Sequence, residues 1–177
     1  VFLPPITTMA LKQGMNVLLD LAELGADFQI TGVGSSQRFL TQRRPTAIKF
    51  MQAFVEGIHY YKTHKPESVN TIAKYMKISD VEAVGATYDY FAPKIVAQKP
   101  YPSLKGIKAL IDLAAYEKPE LKNISPERRV NATILKAADD SGFIDRLYRS
   151  ADEHGRISAS KDAAMRELNA VSLRKLR

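Results

Sequence analysis

From residue 44 onward, the sequence repeats its apolar residues at the three- and four-residue spacing of an α-helix. The clearest segment begins at Arg44-Pro45, where a proline suits the first helical turn, and continues through Tyr61. It carries two apolar stripes, which are Ile48, Met51, Val55 and Ile58 on one side and Phe50, Phe54, Gly57 and Tyr61 on the other. Because a helix that is apolar on two sides is usually buried, we predict that this one is mostly buried.

Later segments repeat this helical spacing at 65–77, 81–92, 104–114 and 134–140. Ser79 and Glu82 have the spacing of a capping box, in which each side chain binds the other residue's free backbone amide. The helix that this box opens is expected to end at Pro93. The second half of the chain is therefore predicted to be a succession of helices.

The beginning of the chain has a different pattern, with short apolar runs between prolines and glycines. Val1–Pro5 fits a short buried strand that its prolines stop, and Asp27–Val33 alternates as a strand does. Thr7–Gln13 fits one or two helical turns ended by Gly14, whereas Asn16–Leu24 fits either a strand or a helix. The sequence alone thus predicts a short α/β opening before the helices.

The chain has 177 residues and a formal net charge of +7, which is the size of one ordinary domain with a basic surface. Such a charge is compatible with a nucleic-acid or anionic-membrane partner. The basic residues are dispersed along the sequence rather than gathered in blocks, which favours an ordinary solvated surface. We therefore expect no nucleic-acid partner.

The sequence contains no cysteine, which excludes disulfides, CxxC redox motifs and thiolate metal sites. It has no apolar run of the ~20 residues that cross a bilayer, and no signal peptide is recognisable. Because the chain starts at Val1 and enters an apolar run at once, we expect it to be the interior of a longer protein.

The glycines and serines of Thr31–Ser36 form the stretch most similar to a phosphate-binding loop. A Walker loop would also need a Gly-Lys-Ser/Thr end, and a dinucleotide fingerprint would need a third glycine. We therefore favour a turn into a helix that Ser35 or Ser36 caps, and we expect no cofactor.

The titratable residues form no recognisable catalytic or metal-binding set. His59 and His64 are five residues apart, so they do not share a helix face and lack the spacing of a zinc helix. The adjacent carboxylates Asp139 and Asp140 would point apart on a helix and are expected to be solvated. We predict neither an enzyme nor a metal site.

The order of several motifs resembles the later part of one family of proteins. The motifs are LPPITTMALKQGMNVLLDLAELG, QITGVGSSQRFLTQRRPTAIKFMQAFVEGIHYYKTHKPESVNTIAKYM, KPYPSLKGIKALIDL and DDSGFIDRLY. In this order they resemble periplasmic solute-binding proteins of the ABC importers for nitrate, sulfonates, taurine and thiamine precursors. The resemblance extends from Val1 to about Arg149. No motif is diagnostic by itself.

The resemblance implies an α/β fold of the type II periplasmic-binding-protein kind, in which two lobes close over a small solute. Here it implies a helix-rich C-terminal portion with a few short strands near the N-terminus. Residues 1–26 would be the end of the second lobe and the crossing segment. Residues 27–150 would be the mainly helical C-terminal part of the first lobe, and residues 151–177 an extra C-terminal helix or tail.

The resemblance also implies which residues meet the solute, which would be small and anionic or heteroaromatic. They are Leu3, Pro4, Pro5 and Ile6 as a rim of the cleft, and Thr31, Gly32, Gly34 and Ser35 near the hinge. From the residues alone, a strand ending in two prolines is either such a rim or a plain strand stop.

The implied partners are the solute and an ABC permease, in a periplasmic or lipid-anchored location outside the cytoplasm. Because much of the family's cleft would lie outside this chain, helices without their usual neighbours would expose apolar faces and favour a homodimer. The alternative is a non-catalytic helical module that self-associates through those faces.

Overall fold

A computed structural model of the protein describes Phe2, residues 4–19, Asp27, Gln29 and residues 31–149. The helices are α1 (Ile6–Lys12), α2 (Gln37–Gln42), α3 (Arg44–Thr63), α4 (Lys65–Met76), α5 (Val81–Lys94), α6 (Leu104–Ala114), α7 (Thr133–Asp140) and α8, described over residues 143–149. Two 3-10 helices, Pro119–Asn123 and Pro126–Arg129, connect α6 to α7. The succession of helices predicted for the second half is confirmed.

The predicted α/β class is wrong, because no strand occurs in the part of the chain that the structure describes. Pro4 and Pro5 form a turn, and Pro5 is the N-cap of α1 rather than the end of a strand. The physical reason is that proline, with its fixed φ, suits a helix start as well as a strand stop. Val1, Leu3, residues 20–26 and the extra C-terminal helix or tail predicted at residues 151–177 lie outside the described residues.

The strand predicted at Asp27–Val33 is also absent from its described residues, which are Asp27, Gln29 and residues 31–33. A strand needs a neighbouring strand for its backbone groups. Here the segment's own side chains bind Ser103, the N-cap of α6. Gln29 Oε1 accepts a hydrogen bond from the Ser103 amide at 2.8 Å, and Asp27 accepts one from the Ser103 hydroxyl.

The short helix predicted at Thr7–Gln13 is confirmed as α1. Gly14 ends it with a φ of +85°, a conformation that favours glycine. The Lys12 ammonium lies 3.0 Å from Asp80 and 2.8 Å from Glu82, and α1 packs against α5. The division of the chain at residue 26 stays a prediction.

Helices α4 and α5 share one apolar core, the α4–α5 cluster. Its buried members are Val69, Ala73, Val84, Tyr88 and Ala92, with Tyr61, Ile72 and Ile78 packed against them. Tyr61 belongs to α3, so the cluster also includes the C-terminal end of that helix. The rings of Tyr61 and Tyr88 have centroids 4.9 Å apart.

Helices α3, α7 and α8 share a second core, the α3–α7–α8 cluster. Val55, Leu135 and Ile144 are its buried members, and Val55 and Ile144 are both 0% exposed. Met51, Phe143, Leu147 and Tyr148 pack against them. Because α3 contributes to both clusters, this one helix connects the two cores.

The C-terminal ends of α3 and α5 satisfy each other's free carbonyl groups. The Tyr88 hydroxyl of α5 donates to the carbonyls of Tyr61 at 2.7 Å and Lys62 at 3.1 Å. In return, the Lys62 ammonium donates to the carbonyls of Ala92 and Val96. The last carbonyls of a helix have no partner within it, so this reciprocal capping supplies bonds that each helix lacks.

The capping box predicted at Ser79 and Glu82 is wrong. Asp80 is the N-cap of α5, and its carboxylate accepts a hydrogen bond from the Ala83 amide at 2.9 Å. Glu82 instead pairs with Lys12. A charged carboxylate interacts more favourably with a helix N-terminus than a hydroxyl does, which explains the shift by one residue. The helix ends one residue beyond Pro93.

The prediction of a mostly buried α3 is correct for its first stripe and for Tyr61 of the second. Met51, Val55 and Ile58 lie on the packed side. On the other side, Phe50 is 53% exposed and Phe54 is 40% exposed, and their rings stack with centroids 6.5 Å apart. We call the side formed by Phe50, Ala53, Phe54 and Gly57 the aromatic stripe.

The reciprocal capping leads to a stability prediction. Tyr88→Phe removes the hydroxyl and leaves the carbonyls of Tyr61 and Lys62 without this donor, so the free energy of unfolding should fall by about 1–2 kcal/mol in urea denaturation. Tyr116→Phe is the matched control, because Tyr116 is 88% exposed, and it should change the free energy by less than about 0.5 kcal/mol. Equal effects of the two changes would contradict the capping role.

Candidate functional site

The first predicted ligand-binding segment lies at the start of α1. Pro4 and Pro5 form the turn, Pro5 is buried, and their shared peptide bond is cis. Ile6 opens α1 with its side chain exposed, whereas Leu3 lies outside the described residues. The sequence did not single out Thr7, whose buried hydroxyl has no hydrogen-bond partner in the part of the chain described.

The second predicted segment, Thr31–Ser36, is an exposed irregular stretch that enters α2. Ser36, one of the two serines proposed as the cap, accepts a hydrogen bond from the Phe39 amide at 3.2 Å and is the N-cap of α2. Thr31, Gly32, Gly34 and Ser35 are all exposed. Among the described residues, no hydrogen bond or ion pair connects this segment to Pro4–Ile6.

An open pocket of about 480 Å³ lies elsewhere, between the residues that follow α5 and the helix α8. It is lined by Gln98, Lys99, Ile144, Asp145, Tyr148 and Arg149. None of the residues that the sequence proposed for a ligand contributes to its lining. We call residues 95–103, which join α5 to α6, the connector.

Lys99 organises the polar side of this pocket. Its ammonium lies 2.7 Å from Asp139 and 2.9 Å from Asp145, and these two carboxylates raise its pKa. Asp139 also accepts a hydrogen bond from the Tyr101 hydroxyl at 2.8 Å, and the hydrogen bond from Lys99 lowers its pKa. The arrangement ties the connector to the end of α7 and leaves the Asp139 carboxylate ionised.

The prediction that the adjacent carboxylates point apart is confirmed. Asp139 faces Lys99, whereas Asp140 pairs with Lys136 at 2.8 Å on the same helix. The expectation that both are merely solvated is wrong for Asp139, whose side chain is only 17% exposed. Each carboxylate is therefore engaged by its own lysine.

His59 lies in α3, whereas His64 is the residue between α3 and α4, and the two rings have different surroundings. His64 stacks on Tyr60 at the end of α3, with ring centroids 4.1 Å apart. The rings of His59 and Tyr148, which lies on α8, pack edge to face with centroids 4.9 Å apart. The His59 Nε2 and the Tyr148 hydroxyl are buried without hydrogen-bond partners in the described part of the chain. Burial and the nearby His64 lower the pKa of His59.

Residues 4–19 and 31–149, together with the single described residues between them, contain no group of three or more side chains suited to hold a metal ion. No described helix is both long and apolar enough to cross a membrane. Comparisons with protein-family models, with curated proteins and with solved structures find no match for this chain.

The buried His59 predicts a pH dependence of stability. Its pKa is lower in the folded chain than the ordinary value of 6.5, so the unfolded chain binds more protons as the pH falls through that value. The contribution of His59 is therefore fully present above about pH 6.5 and is lost as the pH falls towards the folded-state pKa.

Urea denaturation between about pH 7 and pH 5 tests this dependence, because the window spans the ordinary histidine pKa. His59→Phe keeps a ring against Tyr148 and should flatten the fall in stability over this range. Tyr148→Phe is the control, since it leaves His59 buried and should keep the slope. The same slope in the His59→Phe variant and the parent chain would exclude this histidine as the source.

Proposed function

We propose that this chain is part of the solute-binding component of an ABC-type importer and that it binds a small anionic or heteroaromatic solute without chemical change. The proposal originates in the order of the four sequence motifs, which resembles that of the solute-binding proteins of these importers. The helices between residues 37 and 149 are the part of the structure compatible with that resemblance, whereas the strands that it implies are absent from the described residues.

The observation that supports solute binding most directly is the Thr7 hydroxyl. It is buried without a partner in the described part of the chain, and it directly follows Pro4–Ile6, which are proposed to contact the solute. Buried polar groups in folded proteins are normally hydrogen-bonded, and each exception needs a physical reason. Because the hydroxyl is covered in this structure, a solute with an oxygen acceptor would supply the missing bond after the covering atoms move aside, and it would rest against the exposed Ile6.

A second observation supports a role for the helices as one layer of a larger assembly. The aromatic stripe of α3 and the apolar residues after α1 are exposed, and Leu18 is 97% exposed. Large apolar side chains grouped at the surface usually mark an interaction site. In the proposed importer component, these surfaces would contact another part of the same protein.

The same exposed side chains favour one other candidate, a helical module that self-associates. Its surface would be the aromatic stripe, with Phe50 and Phe54 at the centre. Light scattering of the purified chain separates the candidates. A dimer that Phe50→Ser together with Phe54→Ser converts to a monomer supports self-association, whereas a monomeric parent chain removes the reason for proposing it.

Thermal-shift measurements test solute binding with nitrate, alkanesulfonates, aromatic acids and pyrimidines. The protein to use is the product of the whole open reading frame that contains these residues. A solute at a hundred times its dissociation constant adds about 2.7 kcal/mol of stability, which raises the melting temperature by roughly 5–10 °C. If no solute raises the melting temperature, the proposal is contradicted.

The Thr7→Val variant makes this test specific for the site. It removes the unpartnered hydroxyl at nearly constant volume, so it should preserve the fold and weaken the solute-induced shift by at least about half. Thr8→Val, on the same helix, is the matched control and should retain the full shift. Equal shifts in both variants would place the solute away from Thr7.

A further inference from the structure

The N-terminal ends of α3 and α7 adjoin and form one surface. The Arg44 guanidinium donates to the Thr133 hydroxyl at 3.3 Å and to the Thr133 carbonyl at 3.4 Å, which holds the first residues of the two helices together. The two helices also pack along their length. The segment before α3 and the segment before α7 are therefore brought to the same end of the helix pair.

Both of these segments are basic close to the helix that they enter. Between Asp27 and Glu56 the basic residues are Arg38, Arg43, Arg44 and Lys49, and between Glu127 and Asp139 they are Arg128, Arg129 and Lys136. Neither interval contains an aspartate or a glutamate. Lys136 is neutralised by Asp140, so the basic end surface consists of the arginines together with Lys49.

The arginines of this surface are exposed and are not engaged in ion pairs with any residue that the structure describes. Arg38 donates to the Gln42 side chain and Arg44 donates to Thr133, and both of these acceptors are neutral. The N-terminus of α3, a helix of 20 residues without a side-chain cap, adds the positive end of its dipole. The end surface is therefore suited to a partner with several negative charges.

An exposed apolar side chain lies among these cations. Phe39 follows Arg38 in α2 and is 41% exposed. Its carbonyl accepts a hydrogen bond from the Arg43 amide at 2.8 Å, so the ring is one helical turn from the α2–α3 junction. An exposed phenylalanine between arginines is a combination typical of protein surfaces that enter the headgroup region of a membrane.

We propose that the basic end surface binds anionic phospholipid at a membrane surface, with the arginines on the phosphate groups and Phe39 at the acyl boundary. The arginines alone would also suit the phosphates of a nucleic acid. Phe39 favours the lipid, because a membrane offers an apolar layer beneath its phosphates that a duplex backbone does not. This inference uses no feature of the proposed solute site.

Vesicle sedimentation tests the proposal with the whole chain. The chain should bind vesicles of phosphatidylcholine mixed with phosphatidylglycerol and should not bind vesicles of phosphatidylcholine alone. Arg43→Gln together with Arg129→Gln should weaken the binding on the order of thirtyfold, since each arginine near an anionic surface contributes roughly fivefold. Binding should also weaken as salt rises, because the charges are exposed.

Matched variants make the outcome decisive. Lys74→Gln together with Lys94→Gln removes the same charge from α4 and α5 and should retain most of the binding. Phe39→Ser should weaken binding to vesicles but not to duplex DNA.

Equal losses in the arginine and lysine variants would overturn the assignment to this surface. If the chain binds duplex DNA more tightly than anionic vesicles at the same phosphate concentration, the proposal of a lipid partner is wrong. Circular dichroism of each variant confirms that the helices are intact.

Discussion

The reciprocal capping of α3 and α5 is the interaction on which the rest of the structure depends. A helix end leaves carbonyl groups that need donors, and here each end obtains them from a side chain of the other helix. Burial lowers the pKa of the Lys62 ammonium, yet its two carbonyl acceptors hold it in place. Because α3 also inserts Val55 into the α3–α7–α8 cluster, fixing α3 against α5 fixes one core relative to the other.

Two charged contacts then attach the remaining segments to this framework. Lys12 anchors α1 at the start of α5 through Asp80, which at the same time caps that helix. Lys99 anchors the connector after α5 at the end of α7 through Asp139. Each contact lies at a helix end, where a single charged side chain positions the backbone that follows. The pocket between the connector and α8 is a consequence of the second contact.

Much of the helical part could be predicted from the sequence, because apolar spacing, the Arg44-Pro45 start and Gly14 act through local geometry. The absence of the two predicted strands could not, since a strand depends on a partner that no local pattern reveals. The prolines at 4 and 5 fit two local interpretations, and only the packing of α1 on α5 distinguishes them. The unpartnered Thr7, His59 and Tyr148 were also unpredictable, because burial without a partner is a property of the folded chain alone.

The aromatic stripe of α3 has a consequence for how the protein is maintained in a cell. Large apolar groups that stay in contact with water are a liability for aggregation. Chaperones and proteases act on the unfolded fraction of a protein, so a modest loss of stability lowers its abundance several-fold. If this side of α3 stays uncovered, both effects would act on the same chains.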